Sequence, residues 1–245
     1  MEIHHGARAF ALTAEKYERA RPSYPAQALD WIGEAVPLVR GDAVVDLGAG
    51  TGKLTRLLVE RGYDVLAVEP VDEMRAVLEQ RVPQARTAKG TAEDIPAPEG
   101  SARAVTVAQA FHWFDPERAP SEIARVLQPD GALVVVTNVR DKEDPLQAAL
   151  EELMGRYRGA YPNQHWPDTW HDHPLFVPEY REFRHEHVVD AATFVERVAS
   201  VSWIGALAAA EKARVLAEAR ALVADADGPI RMPYITEVFV CRRRR

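Results

Sequence analysis

The chain has 245 residues, 47% of them hydrophobic and 27% charged, a balance that excludes disordered and fibrous classes of protein. No stretch approaches the roughly 20 apolar residues that cross a bilayer, and the first ten residues contain no apolar signal segment. The 30 Lys and Arg against 37 Asp and Glu give a net charge of −7, which disfavours a nucleic-acid partner. A single cysteine, Cys241, excludes an internal disulfide framework. These features predict a cytoplasmic protein without a membrane partner.

Apolar periodicity predicts that strands alternate with helices in the first part of the chain. A helix is expected over 7–21 and another over 26–35. Strands are then expected at 44–47, 65–68, 104–108 and 132–137. Asp72 is expected to cap a helix that Pro83 ends, and a turn is expected at 129–131. Such alternation predicts an α/β fold whose mostly parallel sheet is covered on both faces.

The pattern changes beyond about residue 140. Helices are expected over 146–157 and around Val215 to Val223, on either side of a Pro-, His- and Trp-rich stretch at 161–178 with weak periodicity. A closing strand is expected at 234–241. The region from about 140 to 230 is therefore interpreted as helices and loops that cover a site.

The segment at 44–54 runs from a strand through three glycines at alternate positions into a helix. Glycine turns sharply and leaves no Cβ between the backbone and a ligand, which then meets backbone N–H groups and the positive end of the helix. A Walker A loop requires glycine at 47 and Ser or Thr at 54, where Leu47 and Leu54 stand. The dinucleotide pattern GxGxxG requires glycine or alanine where Lys53 stands. Neither pattern fits.

The pattern that matches in full is DxGxGxG, at Asp46, Gly48, Gly50 and Gly52. It resembles motif I of the class I S-adenosylmethionine-dependent methyltransferases. In that family the turn faces the methionine and ribose of the cofactor, and the aspartate helps to hold the loop and the cofactor's amino group. Glu69 ends the second strand, where a carboxylate can accept hydrogen bonds from two ribose hydroxyls, a geometry that would also suit NAD.

Further segments extend the resemblance. Residues 90–96 look like the G-x-A-E-x-x-P loop of small-molecule methyltransferases, which reads the adenine edge, although the family often has aspartate where Thr91 stands. Residues 106–115 and 17–25 resemble a subgroup related to trans-aconitate methyltransferases. Met74 would pack on the adenine or serve as an ordinary core residue. The resemblance implies S-adenosyl-L-methionine as cofactor, bound by Asp46, Gly48, Ala49, Gly50, Gly52, Glu69, Pro70, Met74, Thr91, Ala92, Glu93 and Gln109.

The same resemblance implies a fold and an order of domains. The sheet is expected to be Rossmann-like, doubly wound and seven-stranded, mostly parallel with its last strand reversed, and to carry a helical and loop lid inserted before that strand. The expected divisions are a helical cap at 1–40, a cofactor-binding core at 41–140, a lid and substrate region at 141–230, and a closing strand with a basic tail at 231–245.

The methyl acceptor is expected to be an oxygen of a small molecule, carboxylate or hydroxyl, with carbon and nitrogen left open. A carboxylate needs no base, whereas a hydroxyl benefits from one. His112 is the candidate catalytic base, or else a wall residue beside the aromatic Trp113. Arg21 and Tyr24 lie in a turn that the resemblance would fold over the cofactor. We expect Arg21, Tyr24 and Trp113 to bind substrate. For Arg21 the alternatives are the methionine carboxylate of the cofactor and a surface role.

Other interpretations remain open beside this one. Five histidines lie between His165 and His187, but no glutamate or cysteine framework accompanies them, and we expect no metal site. An NAD-type oxidoreductase is disfavoured by Lys53 and by the absence of a Tyr-x-x-x-Lys pair. A cofactor-binding regulatory protein without transferase activity is a further alternative. The oligomeric state is expected to be a monomer or a homodimer.

Overall fold

The computed structural model describes residues 20–159 and 173–244. Most of the helix expected over 7–21 and of the irregular stretch at 161–178 lies outside these ranges. The chain forms two compact units. We call residues 24–137, 164–183 and 236–245 the sheet unit, and residues 1–23, 138–163 and 184–235 the helical unit. In the described ranges no helix is long and apolar enough to cross a membrane.

Seven strands form one sheet in the order β3-β2-β1-β4-β5-β7-β6. They are β1 (Ala43–Leu47), β2 (Asp64–Val68), β3 (Arg86–Ala88), β4 (Ala102–Ala108), β5 (Leu127–Arg140), β6 (Phe176–Val189) and β7 (Ile230–Arg243). The first five pair in parallel. The N–H of Asp141, after β5, donates to Pro233 O near the start of β7, and the N–H of Arg244, after β7, donates to Leu175 O before β6. Strand β7 is therefore antiparallel to both neighbours, as expected for the last strand.

Helices occupy the connections between these strands. They are α1 (Ala26–Ala35), α2 (Lys53–Glu60), α3 (Asp72–Arg81), α4 (Ala119–Val126), α5 (Pro145–Gly155), α6 (Ala191–Ala199), α7 (Ser202–Gly205) and α8 (Ala209–Ala221), with a 3-10 turn at Phe111–Trp113. The α/β fold class and the seven-stranded, Rossmann-like sheet are confirmed.

Successive residues of the central strands are buried on opposite faces of the sheet. On β5, Leu133 and Val135 join one apolar cluster, while Val134 and Val136 join the other. Helices α1 and α2 cover the second face, and α4 covers the first. Because side chains alternate across a strand, burial on both faces requires the continuous apolar runs seen in the sequence.

The helical unit has an apolar core of its own. Side chains from α5, α6, α7, α8 and the start of β7 form one buried cluster, which includes Leu150, Phe194, Ile204, Val215 and Met232. Asp144 and Asp190 cap α5 and α6 by accepting hydrogen bonds from Gln147 and Thr193 N–H groups, 2.9 and 2.7 Å away.

The predicted cap at Asp72 is wrong. Val71 is the N-cap of α3 and Asp72 is its first helical residue, without a capping hydrogen bond. Its carboxylate instead accepts hydrogen bonds from Arg75 Nη2 at 2.6 Å and Lys89 Nζ at 2.9 Å. A carboxylate still suits the positive end of a helix in this position, and the two cations take the place of the backbone donors.

The turn predicted at 129–131 is also wrong. These residues lie within β5, which begins at Leu127 directly after α4, so Leu127 belongs to the strand and not to the helix. The register with β4 shifts between Ala102 and Ala104, so the pairing of the two strands is irregular in this segment. A Cβ on Gly131 would lie 2.9 Å from Arg103 O, so the close approach of two backbones explains the glycine.

Strand β6 is absent from the sequence prediction, which had only helices and loops in this region. It lies at the edge of the sheet, and charged side chains such as Glu179, Arg181 and Glu186 are exposed along it. Exposed charges are typical of edge strands because they discourage pairing with other chains. They also hide the apolar signal that marks a central strand.

Candidate functional site

The turn between β1 and α2 has three glycines in the left-handed region, with φ of 62° at Gly48, 59° at Gly50 and 87° at Gly52. A Cβ on Gly48 would lie 2.6 Å from Ala110 Cβ, and one on Gly52 would lie 3.0 Å from Leu78 Cγ. A Cβ on Gly50 would have no atom of the described residues within 4 Å. Two glycines therefore allow close packing, while the third leaves its backbone open to a ligand.

Backbone hydrogen bonds attach this turn to the end of β2. The N–H groups of Gly48 and Ala49 both donate to Val68 O, at 2.9 and 3.2 Å, and Gly52 N–H donates to Ala49 O at 2.9 Å. The turn is thereby held against the end of β2, directly before Glu69.

Asp46 lies on β1, where its buried carboxylate supports the glycine turn. It is 1% exposed, and its two carboxylate oxygens accept hydrogen bonds from Thr55 Oγ1 at 2.6 Å and Thr106 Oγ1 at 2.8 Å. Burial raises the Asp46 pKa to about 6, against the opposing effect of the two threonine bonds. Asp46 therefore connects β1, α2 and β4 around the glycine turn.

Glu69 is buried beside the open glycine. Its Oε2 accepts a hydrogen bond from Gly50 N–H at 2.8 Å, and its Oε1 accepts one from Val71 N–H at 2.9 Å. Burial raises the Glu69 pKa, while these two N–H groups and Arg75 act in the opposite direction. A carboxylate has about four lone-pair positions, so two acceptor positions remain for a ligand.

The first turn of α3 also holds Glu69, through a hydrogen bond to its backbone oxygen. Arg75 Nη1 donates to Glu69 O at 3.0 Å. Pro70 follows Glu69 directly and is partly exposed, whereas Met74 is 7% exposed. The predicted residues Glu69, Pro70 and Met74 therefore lie in one short stretch that runs from the end of β2 into the first turn of α3.

The loop after β3 folds back on itself and contacts the loop after β4. Thr91 and Asp94 form an isolated antiparallel bridge through two hydrogen bonds of 3.3 Å. Ala92 is buried, and Glu93 Oε1 accepts a hydrogen bond from Asp115 N–H at 2.9 Å. The loop that contains the predicted Thr91, Ala92 and Glu93 is thereby linked to the loop after β4.

Glu122 and Arg125 of α4 anchor this loop, and the sequence did not indicate them. Glu122 Oε1 accepts a hydrogen bond from Ile95 N–H at 2.9 Å, and Arg125 donates to Ala97 O and Ile95 O at 3.0 and 3.1 Å. The two side chains also pair at 2.7 Å, which lowers the Glu122 pKa. Their i, i+3 spacing was the available signal, but surface pairs with this spacing are common.

The backbone after β4 turns sharply at Gln109, whose φ of 58° is rare for a residue other than glycine. Its N–H donates to Val136 O at 3.1 Å, and the 3-10 turn Phe111–Trp113 follows. The rings of His112 and Trp113 lie 4.5 Å apart. Strained backbone of this kind clusters at functional sites.

Arg21 and Tyr24 lie in different units. In the helical unit, Arg21 donates to Ser200 from Nε to Oγ at 3.2 Å and from Nη2 to O at 3.0 Å. In the sheet unit, Tyr24 is 8% exposed and packs in the apolar cluster on the α1 face. Among the described residues no group of three or more His, Cys, Asp or Glu side chains is placed to hold a metal ion.

Comparison with known proteins assigns the family. A methyltransferase-domain profile matches residues 45–135, the stretch that contains the glycine turn, Glu69 and the two loops. An uncharacterised methyltransferase-like protein of Schizosaccharomyces pombe is 34% identical over 213 residues, which cover 85% of this chain and 83% of that protein. The chain belongs to the class I S-adenosylmethionine-dependent methyltransferases.

Other relatives of this methyltransferase chain agree on the family. An uncharacterised methyltransferase of Mycobacterium tuberculosis is 51% identical over 147 residues, 60% of this chain. The match spans 59% of the length of that relative. The solved structure of a candidate type II methyltransferase of Anaeromyxobacter dehalogenans superposes with a TM-score of 0.70 at 26% identity, covering 91% of this chain and 97% of the other.

A more distant structure shares only the fold. It is an N-methyltransferase of Haemonchus contortus in complex with phosphomonomethylethanolamine and S-adenosylhomocysteine. The TM-score is 0.58 at 16% identity, with 99% of this methyltransferase chain and 61% of the other covered.

Proposed function

We propose that this chain binds S-adenosyl-L-methionine in the sheet unit and transfers its methyl group to an oxygen of a small molecule in the cytoplasm. The observation that carries the proposal is the pairing of an open glycine with a buried carboxylate. Gly50 has free space where a Cβ would lie, and its N–H fixes a Glu69 oxygen at 2.8 Å. This arrangement suits a ribose whose two hydroxyls donate to Glu69.

The residues around this pair fit the rest of the cofactor. Ala49 and the backbone at 48–52 would lie along the methionine and ribose, with Asp46 holding the turn. Pro70 and Met74 would contact the ribose and adenine, and Thr91, Ala92 and Glu93 would line the adenine edge. Gln109 would close the site from the end of β4. The neighbouring complex that contains S-adenosylhomocysteine on the same fold supports this assignment.

Bound S-adenosylmethionine supplies an electrophilic methyl group on a sulfonium that is already a good leaving group. The chain's own residues then have to align the acceptor oxygen and exclude water. Asp46, the glycine turn and Glu69 would hold that cofactor, which would supply both the methyl group and the leaving thioether. For a carboxylate acceptor no proton moves, whereas for a hydroxyl acceptor His112 would take the proton.

The acceptor is proposed from the chemistry near the cofactor. The D/N/S-P-P-Y/F signature of amino methylation is absent after β4, where the sequence reads Gln109-Ala110-Phe111-His112. Trp113, Arg21 and Tyr24 are proposed to contact the acceptor. The resemblance to the trans-aconitate subgroup supports a small organic acceptor over a macromolecule.

Two measurements test the proposal. The first is calorimetric titration of the purified protein with S-adenosylmethionine, S-adenosylhomocysteine and NADH in parallel. Micromolar binding of the first two without NADH is expected, and binding of NADH alone would overturn the assignment. The second is release of S-adenosylhomocysteine in the presence of a panel of small acids, phenols and alcohols. Cofactor binding without turnover across such a panel would favour a regulatory binding protein.

A further inference from the structure

The helical unit contains a group of buried basic side chains separate from the glycine turn. Arg197 on α6 is 6% exposed, and its Nε and Nη1 atoms are buried with no hydrogen-bond partner among the described residues. The Nε of Arg140, at the end of β5, is also buried without a hydrogen-bond partner among the described residues. Buried polar groups in folded proteins are nearly always bonded, so these donors indicate an acceptor that is not part of the described chain.

The charges of this group are not balanced by the described carboxylates. Glu151 on α5 accepts a hydrogen bond from Arg140 Nη1 at 2.5 Å and from Arg158 Nη2 at 3.2 Å, so one carboxylate serves two guanidinium groups. Arg197 forms no ion pair with a carboxylate in the described part of the chain. A buried guanidinium without a counter-charge is costly, and it persists in proteins where a ligand or partner supplies the charge.

Tyr234 lies close enough to these arginines for their charges to act on its hydroxyl. It is 1% exposed, and its ring lies 6.0 Å from that of His185. Burial alone would raise the Tyr234 pKa, but Arg197, Arg140 and Arg21 outweigh it, and the pKa is lowered. Burial also lowers the pKa of His185, which favours its neutral form. The position of the Tyr234 hydroxyl is therefore strongly electropositive.

We propose that Arg197, Arg140 and Tyr234 form a binding site in the helical unit for an oxyanion of an acidic small molecule, a carboxylate or a phosphate. Guanidinium N–H groups and a phenolic hydroxyl donate to such oxygens, and charge-assisted bonds of this kind are short and strong. The proposal stands on the helical unit alone and does not depend on methyl transfer.

The test uses the substitution Arg197→Met, which removes the unbalanced charge and keeps much of the side-chain volume. In the absence of ligand we expect this variant to melt about 2–4 °C above the wild type, because an uncompensated buried charge is lost. Arg156→Met is the matched control, since Arg156 is 58% exposed and pairs with Glu218 at the surface of the same unit. The control is expected to melt within about 1 °C of the wild type.

Anion binding is measured by calorimetry with succinate, citrate, benzoate and inorganic phosphate, each against sodium chloride of equal ionic strength. We expect at least one probe to bind wild type and Arg156→Met equally, and Arg197→Met about tenfold or more weakly. Preference for the organic acids or for phosphate identifies the class of oxyanion. Arg197→Lys, which keeps the charge, is expected to retain part of the affinity.

Three outcomes would overturn the site: no probe binds beyond the chloride control, Arg197→Met binds as the wild type does, or Arg197→Met melts below the wild type or fails to fold. A parallel titration with S-adenosylhomocysteine separates this inference from the proposed function. Loss of oxyanion binding with intact S-adenosylhomocysteine binding would remove only this site. Loss of S-adenosylhomocysteine binding with intact oxyanion binding would remove only the proposed function in the sheet unit.

Discussion

The backbone N–H of Gly50 donates a hydrogen bond to Glu69 Oε2, 2.8 Å away, across a separation of 19 residues. This bond joins the turn after β1 to the end of β2, the two places where the candidate cofactor site begins. It fixes one carboxylate oxygen before any ligand is present. Preorganisation of this kind improves affinity because less order has to be imposed on binding.

Replacement of Glu69 tests the ribose assignment. We expect Glu69→Ala to weaken binding of S-adenosylhomocysteine by about 1.5–3 kcal/mol, the range for a lost hydrogen bond to a charged group. Glu69→Gln keeps one acceptor oxygen, so its affinity should lie between those of the wild type and Glu69→Ala. Calorimetry measures both variants, with thermal unfolding recorded beside it because Glu69 also accepts from Val71 N–H.

Glu60→Gln is a suitable control for the loss of a negative charge, since Glu60 is exposed and pairs with Arg56 on α2. The Glu60→Gln variant should bind S-adenosylhomocysteine as tightly as the wild type does. Unchanged affinity in a folded Glu69→Ala protein would remove Glu69 from the site.

A second prediction concerns the open glycine. Gly50→Ala forces a Cβ into the left-handed region, which costs about 1–2 kcal/mol of folding free energy, but it meets no described atom within 4 Å. Gly100→Ala provides the match, because Gly100 also has positive φ and open space but lies in the loop before β4. Both variants should lose similar stability in urea unfolding.

Only Gly50→Ala should lose affinity for S-adenosylhomocysteine, by about tenfold or more, if the cofactor approaches this backbone. Equal affinities of the two alanine variants would mean that the space beside Gly50 is not the cofactor site.

The glycine turn of the candidate site was predictable because the residues that form it are local in sequence. The three glycines act within one turn, and their positive φ values follow from the single segment between β1 and α2. The central strands were equally clear, since burial on both faces demands unbroken apolar runs. Strand β6 was missed because the residues on both of its faces are polar: the exposed Arg184 and Glu186 alternate with the less exposed His185 and His187, a pattern that resembles a polar loop.

The contacts that join distant segments were not predictable. Asp46 accepts from Thr106, 60 residues away, and Glu122 holds Ile95, 27 residues away. Nothing in the sequence around Thr106 or Glu122 distinguishes either residue from an ordinary threonine or glutamate. The identity of their partners follows only from the sheet order and register, which no local pattern encodes.

The buried Asp46 leads to a prediction about pH. Its pKa is raised to about 6 in the folded protein, chiefly by burial, whereas the unfolded chain has the ordinary value. Between these two values the folded state binds more protons than the unfolded state, so stability falls as pH rises. The stability that protonated Asp46 provides is fully present below about pH 4 and is lost by about pH 6. The loss in free energy of unfolding amounts to about 3 kcal/mol.

Asp46→Asn, which cannot ionise, should therefore gain stability relative to the wild type as pH rises from about 4 to 6, with no further change above that range. Urea unfolding of the two proteins across this range measures the difference, and carboxylates that do not interact with Asp46 cancel in the comparison, whereas Glu69 does interact with it. A difference that is constant with pH would show that Asp46 does not titrate in this window.

The last prediction separates the two roles considered for His112, and it depends on the acceptor. With a hydroxyl acceptor, His112→Ala and His112→Asn should both lower kcat by about 10²–10⁴, since a positioned base contributes on that scale. With a carboxylate acceptor, which is already ionised, both variants should keep kcat within about threefold of the wild type. Affinity for S-adenosylhomocysteine should stay unchanged in either case.

If His112 instead shapes the wall beside Trp113, His112→Ala should weaken binding of both kinds of acceptor, and His112→Asn, closer in shape, should recover much of the loss. Initial rates with one acceptor of each kind, and calorimetry of both variants, decide between the roles.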